Sequence, residues 1–185
     1  MNHLATSKED ILAASRDLIK ENGWAAVSIR AVASRCSVSA GTIYNYYESK
    51  ADLLSDTIES IWHEIFFHPE AEQVFHDVES CISWIYERLE YGNSQFPGFF
   101  SLHSFGFMRD EKTSGKKKMM QTWGHILNGL CEVLENDPKV RSDVFDQEFT
   151  EKKFADILFS LILVSMIRQD YDPSSVLMLV KKTLY

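Results

Sequence analysis

Val38-Ser39-Ala40-Gly41-Thr42-Ile43-Tyr44-Asn45-Tyr46-Tyr47-Glu48-Ser49-Lys50 is the stretch on which the fold of this chain turns. Ser39 is a good helix cap, and the residues after it run without a breaker. Ile43 and Tyr47 stand four apart and share one helical face, which predicts that both pack inward. Thr42, Tyr44, Asn45 and Tyr46 are then left facing outward, behind the slim pair Ala40 and Gly41. Upstream, Ser28 caps a second short helix whose apolar stripe is Ile29, Val32 and Ala33, with Arg30 and Arg35 off the stripe. That helix breaks at Arg35-Cys36-Ser37. Further upstream, Ser7 with Asp10 three residues on is an approximate capping box, and Asn22-Gly23 supplies the stop of a first helix. Downstream, Ser49-Lys50-Ala51-Asp52 opens a longer helix with Leu53, Leu54, Ile58, Ile61, Trp62 and Ile65 along one side.

Two short helices joined by a tight turn, the second with small and polar residues outward, are the parts of a helix-turn-helix. A helix that enters the major groove needs a slim leading end and side chains that exchange hydrogen bonds with base edges. Ala40 and Gly41 allow close backbone approach, and the free N–H groups at the helix start suit phosphate. Lys50 adds a positive charge nearby. The plainer alternative is an ordinary bundle of three helices with surface tyrosines. Cap, turn, small residues, aromatics and lysine arriving in order favour the first reading.

Val27 to Ala33 and Val38 to Leu54 resemble the DNA-binding head of TetR-family regulators. Heads of that family pair a capped second helix with a Gly-Thr-hydrophobe-Tyr recognition helix, then an aromatic and a lysine opening helix four. The resemblance covers residues 7 to about 56, and Ser37 departs from it where the family has glycine in the turn. It implies that Tyr44 and Tyr46 contact phosphate or bases, that Asn45 and Ala40 set sequence preference, and that Lys50 clamps a phosphate. Thr42 and Ser28 would anchor backbone, beside Ser39 and Gly41 at the helix start. It also implies residues 1–56 as head and 57–185 as an effector-binding and dimerisation domain, all-α, with about nine helices. The implied partners are a double-stranded DNA operator, a second copy of the chain and a small-molecule effector, with repression as the outcome.

The bulk numbers agree with a globular regulator. The 185 residues are 45% hydrophobic and 25% charged, with four prolines and eight glycines. Net charge is −8, but residues 1–50 carry six basic and five acidic side chains, leaving −9 for the remainder. A mildly basic head on an acidic body binds duplex through a few well-placed contacts rather than through bulk charge. Cys36, Cys81 and Cys131 form no CxxC pair, which suits a reducing cytoplasm. No signal-like segment opens the chain, and the apolar run Ile157 to Ile167 falls short of the ~20 residues that cross a bilayer. Later helices are expected from Val74 to Tyr91, Phe99 to Met108, Lys116 to Leu134, Glu148 to Arg168 and Ser174 to Leu184, with Pro69, Pro97 and Pro138 in the breaks. No segment shows the two-residue alternation of a strand.

In the middle, Phe96, Phe99, Phe100, Phe105, Phe107 and Met108 crowd one segment. Such rings either fill a core or line an apolar pocket; the candidate lining is Trp62, Phe66, Trp84, Phe99, Phe100, His103 and Trp123. The effector is then partly apolar or aromatic. The last two helices are rich enough in apolar residues to serve a two-fold four-helix interface, with Phe154, Leu158, Leu161, Val164, Val176 and Val180 as candidates and burial within one chain as the alternative.

Catalysis is not expected, and neither is a metal or cofactor. His63-Glu64 with His68 has its histidines five apart, which turns them ~140° from each other on a helix rather than onto one face. Gly115-Lys116 lacks the earlier glycine of a phosphate loop, and no Gly-x-Ser-x-Gly occurs. An all-α interaction module, or an activator without a releasing ligand, is the competing reading.

Overall fold

A computed structural model of the chain describes residues 6–66, 75–100 and 114–185, the side chains of 114–122 excepted. Among the described residues there are eight α-helices, one 3-10 turn and no strand. The chain divides into two compact units, Met1–Phe67 with Gly92–Met119, and His68–Tyr91 with Met120–Tyr185. Within the first unit, the helix that starts at Lys50 is tied along its length to the first helix.

In the first unit, α1 (Lys8–Asn22) starts at a full capping box: the Asp10 N–H donates to Ser7 Oγ (3.1 Å) and the Ser7 N–H donates to Asp10 Oδ2 (2.8 Å). It stops at Gly23, whose φ of 76° a side chain would resist and whose N–H closes on Ile19 O. A 3-10 turn (Trp24–Ala26) leads to α2 (Ile29–Arg35), where Ser28 Oγ accepts from the Ala31 N–H (3.1 Å). Next come α3 (Ala40–Tyr44), capped by Ser39, and α4 (Lys50–Phe66), where Ser49 Oγ accepts from the Asp52 N–H (3.2 Å). Ile11, Ile19, Val32, Ile43, Leu53 and Ile61 are sealed from solvent and form the core. Along the outside, Lys8 pairs with Asp56 (2.6 Å), and Arg16 and Lys20 both pair with Glu64 (3.1 and 2.7 Å). This ladder joins α1 to α4.

The first part of α5 (Val78–Gln95) belongs to the second unit. It begins four residues later than expected because Asp77 Oδ1 accepts from the Ser80 N–H (2.8 Å) and so caps the helix there. α6 spans Ser114–Asn136, α7 Glu151–Arg168 and α8 Ser174–Leu184. Thr150 accepts from the Lys153 N–H, which puts the start of α7 three residues after the expected Glu148. The Tyr86 hydroxyl on α5 meets Ser165 Oγ on α7 at 2.8 Å. Asp137 Oδ2 accepts from the Val78 N–H (2.9 Å) and from the Tyr185 hydroxyl, which fastens the chain's last residue to the start of α5.

The expected helix from Phe99 to Met108 is not seen where the structure describes it. Pro97 to Phe100 form a turn closed by the Phe99 N–H on Phe96 O (3.0 Å), and the rest of that segment lies outside the described residues.

Candidate nucleic-acid interface

The turn between α2 and α3 is made by a residue under strain. Ser37 has φ 57°, in the left-handed region, and the Val38 N–H then reaches back to Ala33 O (2.9 Å). The backbone keeps the geometry that glycine adopts without cost, and serine takes it up. This sets α3 on the surface with Ile43 (0% exposed) and Tyr47 (4%) inward and Tyr44 (56%) outward. Ser39, Gly41 and Asn45 are exposed, while Ala40, Thr42 and Tyr46 are half-buried. The helix is only five residues long, so Asn45 and Tyr46 lie just past its end.

Two of the polar side chains have partners inside the head. Thr42 Oγ1 and Ser39 Oγ are 3.0 Å apart, and Ser39 Oγ also accepts from the Thr42 N–H, so this pair caps α3. The Tyr46 hydroxyl donates to the Thr6 carbonyl (2.6 Å), which takes up its only proton. Tyr44, Asn45 and Gly41 remain as the outward surface of α3.

The cations sort in the same way. Of the six in residues 1–50, Lys8, Arg16 and Lys20 pair with carboxylates of α4, and Arg35 pairs with Glu21. That pairing holds the Glu21 carboxyl below its usual range and raises the Arg35 guanidinium, chiefly through their hydrogen bonds. Arg30, near the start of α2, and Lys50, at the start of α4, are both exposed and carry no ion pair in the described structure. Arg30 was not among the site residues expected from sequence, where it and Arg35 looked alike. What separates them is Glu21, fourteen residues from Arg35 in the chain and beside it in space.

The candidate pocket residues are distributed over both units. Trp62 lies against Phe66 (ring centroids 5.6 Å, stacked), Phe99 (5.5 Å, edge-on) and Phe100 (5.6 Å) in the first unit. Trp24, which the sequence did not single out, adds a fifth ring, 6.2 Å from Phe99. Trp84 and Trp123 belong to the second unit, where their ring partners are Phe75 and Phe159. His103 lies outside the described residues, as does His68. Glu64, beside His63, is engaged by Arg16 and Lys20, and no group of three His, Cys, Asp or Glu side chains suited to a metal occurs among the described residues. No described helix is long and apolar enough to cross a membrane.

The six candidate interface residues divide by burial. Phe154 (2%), Leu158 (0%), Val176 (7%) and Val180 (0%) are buried within the chain itself and have no surface left to offer a partner. α7 is apolar nearly all round, so its sequence does not say which stripe is the core. The stripe left outside is Ile157 (43%), Val164 (45%) and Ile167 (47%), with Leu161 half-buried, and on α8 Met178 (53%) and Leu179 (37%).

Comparison with known proteins agrees with this geometry. The family described as bacterial regulatory proteins, tetR family, matches residues 11–57. The HTH-type transcriptional regulator UidR of Escherichia coli (strain K12) is 38% identical over 48 residues, a stretch that covers 26% of this chain and 24% of that protein. The match to this curated relative therefore spans about a quarter of its length. Among solved structures, a TetR transcription regulator from Haloarcula marismortui superimposes with TM-score 0.68 at 18% identity, covering 96% of this chain and 98% of that one. FadR from Bacillus subtilis, solved in complex with stearoyl-CoA, gives TM-score 0.67 at 18% identity over 97% of this chain and 100% of that one. At such identity these two likenesses speak for the fold, while the head carries the likeness in sequence. Residues 11–57 thus match the tetR family of bacterial regulatory proteins, and the chain shares the fold of these two solved structures along nearly its whole length.

Proposed function

We propose that the chain is a ligand-responsive, DNA-binding transcription regulator that grips a palindromic operator as a homodimer and represses until a small molecule releases it. The observation that carries this is the sorting of α3. Ile43 and Tyr47 are sealed, whereas Gly41, Tyr44 and Asn45 are exposed, and Arg30 and Lys50 are exposed cations without an ion pair in the described structure. In the major groove, Asn45 and Tyr44 read base edges while Ala40 and Gly41 let the backbone come close. Ser28 and Ser39 offer backbone N–H groups at the starts of α2 and α3, Thr42 holds the cap of α3 with Ser39, and Arg30 and Lys50 neutralise phosphate. Tyr46, its proton given to Thr6, serves to brace α3.

Two heads are needed, spaced roughly 34–36 Å apart or at a larger geometric multiple, for both to reach successive major grooves. The exposed apolar side chains Ile157, Val164 and Ile167 on α7 and Met178 and Leu179 on α8 support a second copy as their cover, since so many large apolar side chains are costly to leave in water. The effector acts by population shift: it binds a form with mis-spaced heads better than the DNA-competent one. α4 is the lever, being tied to α1 by the Lys8, Arg16 and Lys20 ion pairs.

The test is selection of bound sequences from a random duplex library, followed by titration of the selected duplex at rising salt. The reading expects a palindromic site and an affinity that falls steeply with salt. An all-α interaction module yields no enriched sequence and no complex, and that outcome rejects the proposal.

A further inference from the structure

We infer that the ring cluster around Trp62 is a site for a small molecule that joins an apolar or flat aromatic body to an uncharged hydrogen-bond acceptor, and that the Trp62 indole N–H receives that acceptor. This deepens the effector reading above and rests on it.

Trp62 is 4% exposed, and its Nε1 has no hydrogen-bond partner. A buried N–H left unpaired costs about 1–3 kcal/mol, so native proteins keep few of them. Nearby buried groups on α4 follow the rule: the Thr57 hydroxyl donates to Leu53 O at 2.7 Å. A site that only had to be filled is served by phenylalanine, the residue at every ring position around Trp62. Among the described rings of this cluster, the Trp62 indole N–H is the buried polar group without a partner, so it can select a ligand by chemistry rather than by size. The acceptor is uncharged because the cation at the edge of the cluster, Lys20 over the Phe96 ring, is already paired with Glu64. A buried carboxylate without a cation costs several kcal/mol, whereas a carbonyl, ether or ring nitrogen does not.

The surrounding rings differ in how far they can give way. Phe100 is held against α5, since even a Cβ placed on Gly92 would stand 3.0 Å from Phe100 Cζ. Phe99 follows Gly98 (φ 79°) on an exposed turn, and besides Trp62 its ring neighbours are Phe96, Phe100 and Trp24, the last in the 3-10 turn after α1. An occupant that reaches the Trp62 N–H by moving Phe99 therefore presses on the DNA-binding head.

Naphthalene and quinoline are matched probes of equal shape, of which only quinoline has an acceptor, uncharged at neutral pH. Titrating each into the 15N-labelled chain, with the Trp62 indole resonance assigned by its absence in Trp62→Phe, separates the outcomes. We expect quinoline to bind about tenfold tighter than naphthalene and to move the Trp62 N–H resonance downfield, and Trp62→Phe to bind both alike. Absence of binding by either probe, equal affinities in the wild type, or a preference that survives in Trp62→Phe overturns the inference. The wild-type titration stands even if the variant folds poorly. Operator binding measured on the same samples tells the two failures apart. A chain that binds its duplex but not quinoline loses this site alone, and one that selects quinoline but binds no duplex loses the regulator reading alone.

Discussion

The Tyr46 hydroxyl donates to the carbonyl oxygen of Thr6 across 2.6 Å, so the residue just past α3 is fastened to the chain just ahead of α1. Forty residues separate the two in sequence. Tyr46 is thereby a brace, and its outward neighbour Tyr44 is the free phenol. Tyr46→Phe should lower stability by about 1 kcal/mol, or about 2–4 °C in thermal midpoint, with little change in the operator affinity of the folded protein. Tyr44→Phe should do the reverse. Calorimetry and fluorescence anisotropy on the same pair of variants check this.

Only cations without a carboxylate partner release counterions when DNA binds. Arg30→Ala and Lys50→Ala should each weaken binding to every duplex and lower the salt slope by about 2 for a dimer with two copies of the contact. Arg35→Ala, whose guanidinium faces Glu21, should leave the slope nearly unchanged. A slope change as large in Arg35→Ala as in Arg30→Ala would refute this sorting of the charges.

Ser37 holds φ 57° at an exposed turn, a conformation that costs a side chain about 1–2 kcal/mol and glycine almost nothing. Glycine gives part of this back through the greater freedom of the unfolded chain, leaving a gain of about 0.5–1 kcal/mol. Ser37→Gly should therefore raise the thermal midpoint. A fall would mean that the Ser37 side chain makes a contact outweighing the strain.

Asp77 caps α5 and pairs with Lys139 at 2.7 Å, which together bring its carboxyl down from the ordinary 3.8 to about 2, the Lys139 hydrogen bond contributing most. Because the folded state prefers the charged form, the stabilisation is complete above about pH 4 and is lost as pH falls towards 2. Thermal midpoints measured between pH 5 and 2 should drop in the wild type and drop less steeply in Asp77→Asn. Parallel curves would assign the acid sensitivity to other carboxyl groups.

Val164→Asp and Ile167→Asp place a charge on the exposed stripe of α7 and should convert a dimer to a monomer without unfolding it, as read by light scattering and circular dichroism. Leu158→Ala, which empties a sealed position, should instead cost roughly 2–5 kcal/mol of stability and leave the subunit count alone.

Local chemistry was legible in the residues themselves. Ser7, Ser28, Ser39 and Ser49 each bond the backbone N–H three residues on, within a single turn of chain, so their spacing sufficed to mark four helix starts. The inward pair Ile43 and Tyr47 followed from helical period alone, and so did the exposure of Tyr44 and Asn45, whereas Thr42 and Tyr46 turned out half-buried and bonded within the head. Tertiary structure decided the rest, because each remaining choice lay between residues that look equivalent along the chain. Arg30 and Arg35 are both basic and both off the apolar stripe, and only the approach of Glu21 takes one out of play. Phe154 and Ile157 are both apolar on a helix that is apolar nearly all round, and only packing within the second unit decides which of them water sees. A hydrogen bond or an ion pair between distant residues depends on where the backbone has already gone, and no spacing in the sequence encodes that by itself.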